Sequence, residues 1–99
     1  MTFDWNPAKA KANIAKHGVS FEEASSVFLD PFELTSHDAA HSTSEDRYIT
    51  IGMSYLIRVV IVVWTERKDD VIWIISARTA TKAEAKGYEE ARKRASRGR

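Results

Sequence analysis

The chain has 99 residues with 15 Lys/Arg against 14 Asp/Glu, a formal net charge of +1, and no cysteine, which fits one domain spanning 1–99 and excludes disulfides and thiolate zinc sites. A cytoplasmic setting fits the missing cysteine. The longest apolar run, Val59 to Trp64, falls far short of the roughly 20 residues that cross a bilayer, and Met1 to Pro7 lacks the basic-then-apolar pattern of a signal peptide, so no membrane association is expected.

Phe3-Asp4-Trp5 reads as a short strand or an anchor segment. Asn6-Pro7 opens a helix, because Asn caps well and Pro suits the first helical position. Ala8 to Lys16 is rich in strong helix formers, and His17-Gly18 closes the helix with glycine placed for a left-handed cap. Ser20-Phe-Glu-Glu23 has capping-box spacing, and Phe21, Ala24, Val27 and Phe28 give the second helix one apolar face before Asp30-Pro31 ends it. Phe32 to Ser36 is consistent with a strand, and 37–46 is polar and reads as a loop. Arg47 to Gly52 alternates as a strand does, and Met53 to Leu56 turns. Thr81-Lys-Ala-Glu84 is a second capping box, opening a helix to about Ala95. The expected fold is α+β: two N-terminal helices, an antiparallel four-stranded meander sheet and a C-terminal helix.

The last two strands carry the oddest chemistry. Arg58 to Arg67 and Val71 to Arg78 are near-continuous apolar runs with ionic ends, joined by Lys68-Asp69-Asp70. Burial of the runs drives folding, but their charged ends need partners, water or a ligand anion. With a three-residue loop, Arg67 pairs with Val71 and Glu66 with Ile72. Val60 then faces Arg78, and strand parity places Arg58 and Arg78 on one face, with Arg67 opposed and Glu66 at the far end.

Charge is polarised along the chain. Residues 1–50 hold four Lys/Arg and eight Asp/Glu, a balance of −4, whereas residues 51–99 hold eleven and six, a balance of +5. The basic charge peaks from Arg92 to Arg99, which suits either nucleic acid or a solvated helix C-terminus.

An ordered set of segments resembles the BrnT family of type II toxins. They are Phe3-Asp-Trp5, Asn13 to Ala24, Asp30-Pro31, His41-Ser42, Arg47 to Gly52, Thr65-Glu66-Arg67 and Ile74 to Ala80. The resemblance implies a RelE-like fold and metal-independent RNA cleavage without a cofactor. It also implies a BrnA-type antitoxin, joined with the toxin in a heterotetramer and carrying the contact with operator DNA. The chain departs from the family pattern at Trp73, usually basic, and at Thr79, often arginine.

Such cleavage uses the 2′-OH of RNA as nucleophile, so it needs a base near that hydroxyl, cations over the phosphate and an acid for the leaving oxygen. Arg58, Arg67 and Arg78 are candidate phosphate cations, because the arginine fork matches two oxygens. Glu66, His17 and His41 are candidate proton carriers. Arg47, Trp73, Lys82 and Arg92 are candidate RNA-binding residues, with Trp73 offering a stacking surface. Each has a structural alternative: Arg78 pairs with Glu84, Arg58 forms an edge ion pair, Glu66 and Arg67 solvate a turn, and His17 stabilises a helix end. His37, Asp38 and His41 have a metal-like spacing, but they lie in a loop with no helix to hold the geometry, and no metal is expected. Competing functions are a non-catalytic antitoxin-binding module acting in operon regulation and a basic nucleic-acid binder using the Arg92–Arg99 tail.

Overall fold

The computed structural model describes residues 1–98, so the last arginine of the basic tail lies outside them. In chain order the elements are β1 (Thr2–Trp5), α1 (Pro7–His17), α2 (Phe21–Ser26), β2 (Leu34–His37), β3 (Arg47–Met53), β4 (Val59–Arg67), β5 (Val71–Thr79) and α3 (Lys82–Arg97). Short 3-10 turns follow α2 at Val27–Leu29 and precede β3 at Ala39–His41.

Local signals place the helices. The Asn6 side chain accepts from the backbone of Ala8 and Lys9, and Pro7 follows as the first helical residue. Gly18 closes α1 at φ 68°, a left-handed conformation that costs glycine little. Ser20 caps α2 through Glu23 N–H, and Thr81 with Glu84 forms a complete capping box on α3.

The sheet corrects the expected four-stranded meander. It has five strands in the order β1-β5-β4-β3-β2. β2 to β5 form the antiparallel meander, and Phe3–Trp5 belongs to an edge strand lying parallel to β5. The two helices therefore follow a strand instead of beginning the fold, as the parallel crossover between β1 and the sheet requires. The second strand also starts two residues late, at Leu34 instead of Phe32.

The two-sidedness of the sheet sets up everything else. One face carries Val60, Val62, Ile72, Ile74 and Ala77, packed against Val19, Phe21, Ala24 and Val27 from the α1–α2 region. Each large side chain fully buried here stabilises the fold by about 1.5–3 kcal/mol. A line of aromatic contacts extends this core: Trp5 meets Phe21 edge-on, Phe28 meets Trp64, and Tyr48 stacks on Trp64 at 4.8 Å. The opposite face carries Arg47, Ile49, Ile61, Val63 and Arg78.

The hairpin turns as expected, with Arg67 opposite Val71 and Glu66 opposite Ile72, and with Asp69 and Asp70 both at positive φ. Beyond Trp64 and Ile74 the register shifts by one residue, so Val63 faces Ser76 and Ile61 faces Arg78. Ile75 is the extra residue of this β-bulge. The bulge overturns the shared face expected of Arg58 and Arg78. Arg58 turns toward α2 and pairs with Glu23, whose side chain is 2% exposed, while Arg78 emerges on the other face.

Candidate functional site

The face of the sheet opposite the core holds a cavity of about 480 Å³. That size suits a small ligand or one unit of a polymer. Its floor is apolar, built from Ile49, Ile61, Val63 and Ile75. Around the floor stand His17, Asp38, His41, Arg47, Arg78 and Glu84.

The positioning of each polar group has a local cause. His17 ends α1, one helical turn after Asn13. The Asn13 amide is buried and binds the β5 backbone on both sides of one residue: its nitrogen donates to Ala77 C=O at 2.8 Å and its oxygen accepts from Ala77 N–H at 3.2 Å. Asn13 also donates to Val19 C=O at 2.9 Å. Three bonds thus lock the end of α1 beside Arg78, and His17 comes with it.

His41 and Asp38 arrive together because a 3-10 turn brings residues three apart onto one side. His41 Nδ1 lies 2.9 Å from Asp38 Oδ2. A carboxylate only accepts, so Nδ1 carries the hydrogen and Nε2 of the neutral ring is left as the proton acceptor. Ser42 pins this loop to the sheet. Its Oγ donates to Asp38 C=O at 2.6 Å and accepts from Arg47 N–H at 2.9 Å, while Asp38 N–H donates to Arg47 C=O at 2.8 Å.

Arg47 opens β3 opposite Thr65. Its Nε is buried without a hydrogen-bond acceptor among the described residues, and the nearest carboxylate contact is a loose one, Glu45 at 3.8 Å. A buried donor left unsatisfied is costly, and because the side chain as a whole is 35% exposed, an anion would meet the outer part of the guanidinium. Arg78 stands across the cavity and is already gripped on two nitrogens by Glu84 at 2.8 and 3.0 Å. The pair holds the Glu84 carboxyl at about 2, well below its ordinary 4.5.

Four of the residues singled out in the sequence, His17, His41, Arg47 and Arg78, therefore meet at one cavity. The others lie elsewhere. Arg58 donates Nε to Glu23 at 3.0 Å and Nη2 to Gly18 C=O at 3.2 Å, with Ser54 Oγ donating to the same carboxylate. Glu66 is exposed at the hairpin end of β4. Arg67 stacks on the Trp73 ring at 4.3 Å, so each occupies the surface that the other offered to RNA. Lys82 is exposed at the first position of α3, and Arg92 lies over the Phe32 ring at 5.6 Å beside a second hollow. His37 turns to Asp46 at 3.0 Å and is not among the residues around the cavity. Among the described residues no group of three or more His, Asp or Glu forms a metal-holding cluster, and no helix is long and apolar enough to cross a membrane.

Sequence reasoning missed Asp38 as a partner of His41 and Asn13 as the clamp behind His17. The three-residue spacing of Asp38 and His41 was one available signal. An asparagine at a buried position of an otherwise Ala/Lys helix was the other.

Comparison with known proteins bears on this arrangement. A family model described as "Ribonuclease toxin, BrnT, of type II toxin-antitoxin system" matches residues 5–84, a span that takes in every residue around the cavity. The chain is similar to the Brucella abortus ribonuclease toxin BrnT, known from a 1.1 Å crystal structure. The TM-score is 0.63 at 26% identity, covering 83% of this chain and 99% of that one. A comparison with curated proteins finds no match.

Proposed function

Because the chain belongs to the BrnT family of ribonuclease toxins of type II toxin-antitoxin systems, we propose that it is an endoribonuclease that cleaves RNA at this cavity without a metal ion, inhibiting translation and growth. The observation that carries the reading is the meeting of two arginines, one with a buried unsatisfied N–H, and two histidines over an apolar floor. The whole chain acts as one toxin domain in the cytoplasm. Membership of the family implies an antitoxin partner. We take that partner to be of BrnA type, assembled with the toxin as a heterotetramer and supplying all contact with operator DNA.

The chemistry follows from the side chains. His41 Nε2 takes the proton of the RNA 2′-OH, and Asp38 steadies the ring as it becomes cationic. The freed 2′-oxygen attacks the adjacent phosphorus while the P–O5′ bond breaks. His17, protonated, gives its proton to the leaving 5′-oxygen. The products are a 2′,3′-cyclic phosphate and a 5′-hydroxyl. Arg47 and Arg78 stabilise the negative charge that builds on the phosphate oxygens, and the apolar floor strengthens that attraction. The Ile and Val floor accommodates the apolar face of a base. Arg58 and Arg67 have structural roles in this scheme, and Glu66 stands outside the cavity.

Purified protein incubated with RNA in excess EDTA should yield fragments ending in cyclic phosphate. Arg78→Ala and His41→Ala should each lose about 10²-fold or more in rate while keeping their circular dichroism. Absence of cleavage by the unaltered protein across structured and unstructured RNAs overturns the proposal.

A further inference from the structure

Glu84 is the one acid on the cavity rim whose carboxylate engages a cavity arginine through two hydrogen bonds. We propose that it is an internal competitor of the RNA phosphate: its two oxygens fill the Arg78 fork that a phosphate would otherwise grip, so RNA must displace Glu84 to bind. The inference rests on the reading of Arg78 as a phosphate-binding residue and adds a residue that sets affinity there.

Three features argue for competition. The contact is two parallel N–H to oxygen bonds, the geometry by which arginine holds phosphate as well as carboxylate. The carboxylate is fixed from behind, since Glu84 Oε1 also accepts from Thr81 N–H at 2.8 Å and Glu84 N–H donates to Thr81 Oγ at 3.2 Å. It therefore has a place to stay when Arg78 lets go, held by the cap of α3. The pair is also easily opened. Arg78 and Glu84 are 44% and 34% exposed, in contrast to Glu23 beneath Arg58 at 2%, and exposed ion pairs are weak. Arg58–Glu23 is built to stay closed, and Arg78–Glu84 is built to exchange.

Glu84→Gln tests this cleanly, because glutamine at that position preserves the capping box while removing the charge. The probe is a 2′-O-methyl RNA oligonucleotide, which lacks the nucleophile and reports binding alone. Glu84→Gln should bind it several-fold more tightly than the unaltered protein. The plot of log K against log salt should steepen, because in the unaltered protein the displaced Glu84 carboxylate takes up a cation as the phosphate releases one, and the variant has no such carboxylate. In an Arg78→Ala background the same substitution should change neither quantity, which separates release of Arg78 from a general loss of negative charge. If Arg78→Ala weakens binding but Glu84→Gln does not strengthen it, Glu84 merely positions Arg78 and the inference fails alone. If Arg78→Ala leaves binding unchanged, the phosphate reading of the cavity fails and the inference falls with it.

Discussion

Three arginines of similar sequence setting have three different fates, and burial of the partner decides which. Arg58 meets a carboxylate removed from water, Arg67 lies on an indole ring, and Arg78 meets a half-exposed carboxylate at the cavity rim. Desolvation raises the pKa of Glu23, but its bonds to Arg58 and Ser54 outweigh that and leave it lowered overall. The cost of removing each arginine therefore differs in kind. Arg58→Ala strands the Glu23 charge in the core with Ser54 as its remaining side-chain donor. It should lower unfolding free energy by about 2–3 kcal/mol, reduced from the cost for a fully buried pair because the outer edge of Arg58 touches water. Arg78→Ala should cost little stability and act on RNA. Urea titration of both variants checks this, and equal midpoints would refute the division of roles. From sequence the Arg78–Glu84 pair was nameable because it spans 6 residues, whereas the partner of Arg58 lies 35 residues away and carried no local signal.

At the level of elements, what was legible was local. Caps at Asn6, Ser20 and Thr81 act within three residues, so their spacing in the sequence is their geometry. The hairpin loop was legible for the same reason. The bulge at Ile75 was not, since β5 reads as an unbroken apolar run whichever face each residue takes. Nor was the placement of β1: Phe3–Trp5 reads as a short strand or an anchor, but its partner is β5, and a four-residue segment carries no mark of parallel pairing. The cavity depended on both features, so its residues could be named in advance while their grouping could not. α3 shows the opposite balance. Its cap was plain, but its attachment rests on Tyr88, its one buried residue, whose hydroxyl donates to Asp30 beside the end of β3. Asp30 also accepts from Met53 N–H at 2.8 Å and Phe32 N–H at 2.9 Å, and these bonds with Tyr88 hold its carboxyl below the ordinary range despite burial. Tyr88→Phe should cost about 1.5–3 kcal/mol, the range for a bond to a charged group. Amide hydrogens of α3 should then exchange before those of β4; unchanged protection across α3 would show that the helix is held by something else.

Across the whole molecule, the acidic first half and the basic second half are joined by the ion pairs that cross between them. Glu23 to Arg58 is the buried one, and a hydrogen bond from the Tyr88 hydroxyl to Asp30 ties α3 across the same divide. Glu23, Asp30 and Glu84 all have folded-state pKa values below their unfolded ones. A depressed carboxyl binds fewer protons folded than unfolded, so its contribution is complete above the unfolded value and is lost as pH falls toward the folded one. For Glu84 that window runs from 4.5 down to about 2, and for Glu23 and Asp30 it opens below 4.5 and 3.8. Protonation in the same range also strips the first half of its negative charge and leaves the cations of the second half unopposed, which adds self-repulsion. The urea midpoint should therefore be level from neutrality to about pH 5 and then fall steeply through pH 3. Glu84→Gln has no carboxyl to titrate, so its decline over that range should be slightly shallower than that of the unaltered protein, the half-exposed pair being a small contributor beside Glu23 and Asp30. A midpoint that holds level to pH 3, or a Glu84→Gln curve parallel to the original, would mean that these pairs do not couple folding to protonation.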